Sequence, residues 1–342
     1  MGWWDAGVWR ETLVILTELL EEPISGPNRV ARWLAPASPQ VALGVLLRSK
    51  NSTLANVEVT TRTALIAGAR SLTNERNPYG RASAYRILGI FDADARRGVG
   101  LRADGLPDIF WCEVPAGEFV VGPYYAYDNP RQIVTLPKFL IAKYPITYKQ
   151  FQSFIDAPDG YMNRVWWDGF HADGLVQQQG GPGKQSFKFW NHPRENVSWY
   201  DAVVFCRWLS VKLRQGVRLP TEDEWYAACG IYEREYPYLS GFDPTETDDL
   251  NINQTCAVGI FPNSVSLYGL MDTNKNVSEW TLTESDNSNI NDFSNNSARA
   301  LSRGSWYERD IQTRFRFADF VNPTVRSNMF GFRVTMDVQP SI

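Results

Sequence analysis

Histidine and cysteine are scarce in this 342-residue chain: there are two His, His171 and His192, and four Cys, Cys112, Cys206, Cys229 and Cys256. No two cysteines form a CxxC pair, so neither a zinc knuckle nor a disulfide framework is indicated, and reduced, buried thiols are expected. Long apolar runs are missing too. The best, Val41 to Leu47, is far short of the ~20 residues that cross a bilayer, so no membrane partner is expected. A basic excess is also missing: with a net charge of -4 and a pI near 5.4, charge gives a nucleic-acid partner no support. No P-loop is present, so the chain itself is not expected to hydrolyse nucleotide. The start, Met-Gly-Trp-Trp-Asp, has no basic region followed by an apolar core, which points to a cytoplasmic location and makes Asn-x-Ser/Thr triplets such as Asn276-Val277-Ser278 coincidental.

What is present suits a two-domain globular protein, with 44% hydrophobic and 21% charged residues. Thirteen Trp, fifteen Tyr and eighteen Phe imply a core packed largely with aromatic rings. Residues 1–105 read as a small helical domain and linker. Trp9, Leu13, Leu16 and Leu20 recur at helical spacing, and Pro23 to Pro27 closes that segment. Further apolar helical stretches follow at 42–47, 63–69 and 82–90, broken at Pro36, Pro39 and Pro78, and Arg96 to Pro107 reads as the linker.

The character changes over 106–342. Phe110 to Val121 alternates like a strand pair around a turn at Pro115-Ala116-Gly117-Glu118, and Gln132 to Ala142 is a second strand region. Thr147 to Gln150, Ser198 to Asp201 and Thr221 to Glu224 have the spacing of capping boxes and predict three helices. Short strands and little helix are expected after Asn253. The stretch Arg299 to Val334 is long, irregular and rich in aromatic and arginine residues between Arg303-Gly304-Ser305-Trp306 and Gly331-Phe332-Arg333; such segments usually carry binding.

Several motifs, in order, resemble the formylglycine-generating-enzyme (sulfatase-modifying factor) domain. They are Ala142 to Thr147 with Phe151 and Phe154; Asn196 to Ala202 with Cys206 to Ser210; Arg218 to Trp225; Tyr268 to Asp272; Asn276 to Trp280; and Arg303 to Trp306 with Gly331 to Arg333. The resemblance implies an α+β, C-type-lectin-like fold with short strands, few helices and much irregular structure. Its oxidase members use two C-terminal cysteines that bind copper; here Asp310 and Phe315 stand at those positions, and no cysteine follows Cys256. The sulfoxide synthases that resemble the domain use three histidines on iron, and this chain has two. No copper or iron is therefore expected, and His171 and His192 read as structural. The family's calcium loop would draw side-chain oxygens from Asp272 and Glu279 and carbonyls from Lys275 and Val277, with Lys275 where the family usually has Gly. A turn with Glu279 in a salt bridge is the alternative.

The same frame is similar to variable proteins of diversity-generating retroelements, with Arg314, Pro323, Arg326 and Gly331-Phe332-Arg333 in register. That resemblance implies a non-catalytic surface for a protein ligand, made by Tyr307, Arg309, Ile311, Gln312, Phe315, Phe317, Asp319, Phe320, Val321, Asn322, Thr324, Val325, Ser327, Asn328 and Met329. Adenine-directed change of Asn codons cannot yield Glu308, Gln312 or Met329, so these are frame residues or the segment has another origin. Alternation also allows Phe315 and Phe317 to be core residues of a strand, with Arg314 and Arg316 on the other face. The competing readings are an oxidase or other enzyme of the family, and the sensor end of a bacterial signalling ATPase. The segment Arg81 to Ile109 resembles the linkers of such ATPases, which implies a signalling partner for the helical domain.

Overall fold

The computed structural model describes residues 12–17, 25–49, 53–121, 132–230, 253–262, 264–273, 276–285, 292–302, 304–308 and 319–338. It divides into two compact units, 1–94 and 95–342.

In the first unit, residues 12–17 are helical and are followed by α1 (Ser25–Leu34), α2 (Pro39–Arg48), α3 (Val59–Ser71) and α4 (Pro78–Ile90). Ala31, Ala35, Leu46, Leu65, Ala69, Ile87, Leu88 and Phe91 form its core. The small residues have a geometric reason. A Cβ at Gly68 would lie 2.2 Å from the Ala35 carbonyl, so α3 passes too close to the end of α1 for any side chain there. The helical face differs from the one expected: Val14 and Thr17 are buried and Leu16 is exposed, while Trp9 and Leu20 lie outside the described residues. Nor does Pro27 end a helix. It sits in the first turn of α1, as Pro39 and Pro78 begin α2 and α4, positions where the missing N–H costs nothing.

The second unit begins at residue 95 rather than 106, because the expected linker is used as structure. Thr147 Oγ1 donates to the Val99 carbonyl (2.8 Å), Gln150 Nε2 to the carbonyls of Gly98 (3.2 Å) and Asp108 (2.6 Å), and Arg96 to that of Val258 (2.8 Å). Strands β1 (Trp111–Val114), β2 (Gly117–Val121), β3 (Gln132–Leu136) and β4 (Phe139–Ala142) follow. β1 and β2 do not pair with each other. β1 pairs β4 and β2 pairs β3, both antiparallel and in one continuous register, so they are one long hairpin interrupted where Pro115 and Pro137 remove ladder donors.

Helices α5 (Tyr148–Asp156), α6 (Ala172–Gly180), α7 (Trp199–Leu213) and α8 (Glu222–Cys229) come next, with β5 (Val217–Arg218) before α8. The capping boxes of α5, α7 and α8 are all present with both reciprocal bonds. The last strands are β6 (Ser278–Glu284), β7 (Arg299–Ser302), β8 (Asp319–Val321), β9 (Phe330–Gly331) and β10 (Thr335–Asp337). One sheet runs β1-β4-β10-β5 and another β8-β7-β6-β9, so β10 returns beside β4 and closes the unit. The fold is thus α+β with short strands, as expected, and the described residues after Asn253 contain no helix.

α7 is buried on nearly every side, which places it in the centre of the core. Phe154 and Phe205 meet Trp208 with ring centroids 5.2 and 5.8 Å apart, and Phe332, from the C-terminal frame, closes the cluster edge-on to Phe151 and Phe205. All four cysteines are free and buried. Burial pushes the Cys112, Cys206 and Cys229 thiols up, the reverse of an activated nucleophile.

Candidate ligand-binding face

Three arginines hold the C-terminal segment to the core, each through a carboxylate on another element. Arg299 lies with Glu284 in a fully buried pair and its guanidinium is stacked 4.2 Å from the Trp199 ring. Arg326 donates to both oxygens of Asp201 (2.8 and 2.9 Å), the same carboxylate that accepts Ser198 N–H in the α7 capping box and the Tyr161 hydroxyl (2.7 Å). Arg333 donates to both oxygens of Glu279 (2.6 and 2.7 Å) and to the carbonyls of Ala142, Lys143 and Met271. Gly331 fits where no side chain would, since a Cβ there would lie 2.8 Å from both the Arg194 carbonyl and Val277 Cγ2.

Between these anchors the backbone is pinned. Asn196 N–H donates to the Ser327 carbonyl, Trp199 N–H to that of Pro323, Ser278 N–H to that of Met329, and Trp306 Nε1 to that of Asn328 (3.0 Å). Several side chains on this pinned backbone reach solvent: Tyr307 is 67% and Phe320 48% exposed, and Asp319, Asn322 and Val325 are exposed as well.

The expected surface set therefore divides. Thr324, Ser327, Asn328 and Met329 are half-buried. Val321 is partly buried and packs against the aromatic core, whereas its strand neighbours Asp319 and Phe320 are exposed. Asn322 uses its carboxamide oxygen on Thr324 N–H and Oγ1, closing a local turn. Glu308 is half-buried, its carboxylate 3.5 Å from Ser305 Oγ, and Met329 is held by its backbone. Arg309, Ile311, Gln312, Phe315 and Phe317 lie outside the described residues, as does Asp310.

The expected calcium ligands are not free for a metal as a set. Both Glu279 oxygens are committed, to Arg333 and to Trp225 Nε1 (2.9 Å), so a calcium ion would have to take Glu279 from a guanidinium already there. Val277 is buried and Lys275 lies outside the described residues. Asp272 accepts Gly259 N–H on Oδ2 (2.7 Å) while Oδ1 has no hydrogen-bond partner among the described residues, and burial pushes its carboxyl up to about 6. Among the described residues no cluster of three His, Cys, Asp or Glu could hold a metal. His192 is buried with Nδ1 2.9 Å from Thr255 Oγ1, and His171 caps α6 by accepting the Asp173 N–H.

A strap over residues 183–190 was not singled out in the sequence, although its order, Gly-Lys-Gln-Ser-Phe-Lys-Phe-Trp, mixes rings and lysines in a short run without a helical period. Phe187 stands edge-on to Trp306 at 5.7 Å, next to the expected surface. Beneath the strap, Glu195 is fully buried and its Oε1 accepts the N–H groups of Ser186 and Phe187, while Oε2 has no hydrogen-bond partner among the described residues. Burial pushes this carboxyl above its ordinary 4.5, so the folded chain keeps the proton to higher pH than the unfolded chain does. The stability linked to Glu195 is then full below the unfolded value and is lost as pH rises through the folded one. Glu195→Gln, which keeps an acceptor for the two amides without a charge to desolvate, is expected to gain in melting temperature relative to the parent between pH 5 and pH 8. Glu195→Ala should lose about 1–3 kcal/mol by orphaning both amides. A pH-independent difference between Glu195→Gln and the parent would refute the assignment.

A model of the sulfatase-modifying factor enzyme 1-like domain matches residues 110–338. Hercynine oxygenase of Mycolicibacterium smegmatis is 28% identical over 199 residues, covering 49% of this chain and 44% of that protein. The formylglycine-generating enzyme of Mus musculus is 28% identical over 218 residues, covering 49% and 56%. The inactive C-alpha-formylglycine-generating enzyme 2 of Bos taurus is 26% identical over 218 residues, covering 50% and 70%. The chain spans about half the length of the first two of these. Among solved structures, PvdO from Pseudomonas aeruginosa is similar at a TM-score of 0.51 and 21% identity, over 67% of this chain and 94% of that one. Treponema denticola variable protein 1 is similar at 0.48 and 21%, over 66% and 94%.

Proposed function

The chain belongs to the sulfatase-modifying factor enzyme 1-like family, and from that premise we propose that its second unit is a non-catalytic module that binds a protein ligand through the C-terminal face. The observation that carries this reading is the contrast within one segment. Arg299, Arg326 and Arg333 are tied to buried carboxylates, while Tyr307 and Phe320 present large rings to solvent on a pinned backbone. Rings held this way offer contact area at little entropic cost on binding. The chemistry supports the same reading, since Cys112, Cys206, Cys229 and Cys256 are all buried and no cysteine follows Cys256.

Incubating the chain with copper, oxygen and a Cys-containing sulfatase peptide is expected to leave the peptide unchanged by mass spectrometry; formylglycine formation would overturn the proposal. Tyr307→Ala with Phe320→Ala should alter the melting temperature by no more than about 2 °C, because exposed side chains away from structural networks contribute within roughly 0.5 kcal/mol. A fall of ten degrees would make these rings part of the core instead.

A further inference from the structure

The strap carries a second set of exposed groups, and it is rigidly held beside the C-terminal face. Asn196 Nδ2 donates to the Lys184 carbonyl (3.0 Å) and to Ser186 Oγ (2.8 Å), Gln185 Nε2 donates to the Pro193 carbonyl (2.9 Å), and Arg194 donates to the Gly183 carbonyl. The same Asn196 receives the other side of the junction, its N–H on the Ser327 carbonyl. One asparagine thus fixes the strap and the C-terminal segment against each other. A strap anchored at this many points pays little ordering entropy when something docks on it.

Half-exposed rings run along the strap and onto the C-terminal face. Trp190 is stacked on Tyr148 at 4.8 Å with planes 9° apart; Phe187 meets Trp306, and Trp306 meets Tyr307 at 5.9 Å. Charge along the strap has one sign. Lys184 and Lys188 are exposed, and no carboxylate occurs between Gly183 and Trp190 in a chain whose net charge is -4. The nearest carboxylate that follows, Glu195, is buried under the strap and spent on its backbone amides.

Resting on the binding role proposed above, we infer that the strap is the second half of the ligand site, and that its Lys184, Lys188 and flanking rings select an acidic, aromatic-containing peptide segment of the partner. Lysines at the rim attract such a segment and set its salt dependence, while the rings supply contact area. Single-stranded nucleic acid also stacks on rings and is acidic, but it needs a track of cations along its phosphates. Two lysines on a net acidic chain do not make one.

The test uses the full chain and a fluorescein-labelled copolymer of glutamate and tyrosine, read by anisotropy. The parent is expected to bind it with an affinity that falls at least threefold between 50 and 200 mM salt. Lys184→Glu with Lys188→Glu should weaken binding at least tenfold at an unchanged melting temperature, and Tyr307→Ala should weaken it at least threefold. If Tyr307→Ala weakens binding and the lysine reversals do not, the strap has no selecting role while the C-terminal face keeps its own. If the copolymer does not bind, or a twenty-residue oligo(dT) binds as tightly, the acidic-peptide assignment is overturned.

Discussion

Arg333→Ala is expected to cost the second unit about 3–5 kcal/mol, a large share of its stability. The guanidinium is completely buried and uses its fork on both Glu279 oxygens while also satisfying the carbonyls of the neighbours Ala142 and Lys143 and of Met271, far from them in the sequence. Removing it leaves Glu279, itself buried, as an uncompensated charge with Trp225 as its remaining hydrogen-bond donor. Breaking one side of a buried pair costs about 3–5 kcal/mol, against a total stability of about 5–15 kcal/mol for a domain. Arg333→Lys should lose most of the same amount, because an ammonium cannot reproduce the planar, forked geometry. The pair of changes Arg333→Met with Glu279→Leu is expected to be less damaging than the two single changes added together, as the orphaned charge is gone. Chemical denaturation of the parent, Arg333→Ala, Arg333→Lys, the double variant and its two single changes, Arg333→Met and Glu279→Leu, checks this, and an Arg333→Ala variant within 1 kcal/mol of the parent would refute it.

Asp201→Ala is the second large effect. One carboxylate accepts Ser198 N–H at the head of α7, the Tyr161 hydroxyl and the Arg326 fork. Its loss removes the reciprocal bond of the capping box, a hydrogen bond worth about 1 kcal/mol, and leaves the Arg326 guanidinium without its carboxylate, so a total near 3 kcal/mol or more is expected. Burial pushes the Tyr161 hydroxyl up, so it offers Arg326 no anion in place of the lost carboxylate. Asp201→Asn keeps one cap acceptor and should recover roughly the cap and no more. Release of Arg326 should also loosen the C-terminal face, making the bonds after Tyr307 and Phe320 more sensitive to chymotrypsin in native buffer. Unchanged cleavage alongside a lowered melting temperature would show that the capping role alone matters.

How much of this was legible differs from element to element. The capping boxes at Thr147, Ser198 and Thr221 could be read because the two partners lie three residues apart and their bonds close within one turn. Strands around Phe110 to Ala142 were legible as alternation, but their pairing was not. Nothing local shows that the chain runs straight past Pro115 and pairs with the far arm in one register. The linker was misplaced because its glycines and proline look like spacer, whereas the Gly98, Val99 and Asp108 carbonyls satisfy buried polar groups at the start of α5.

The candidate face shows the same division. The frame residues Arg326, Gly331 and Arg333 were named through the family resemblance, and the sequence sufficed to place the family's motifs and to show that no cysteine follows Cys256. The commitment of Glu279 to Arg333, 54 positions apart, and of Asp201 to Arg326, 125 apart, required the fold. So did the packing of Val321 against the core and the strap beside Trp306. The sequence by itself determined the starts of the three capped helices, the strand-forming segments and the aromatic, reduced-thiol core, because these depend on neighbours in the chain and on composition. Only the tertiary structure decided which charges are paired and which rings face solvent. Burial and ion pairing are set by side chains that folding brings together from distant segments, and no local pattern encodes that meeting.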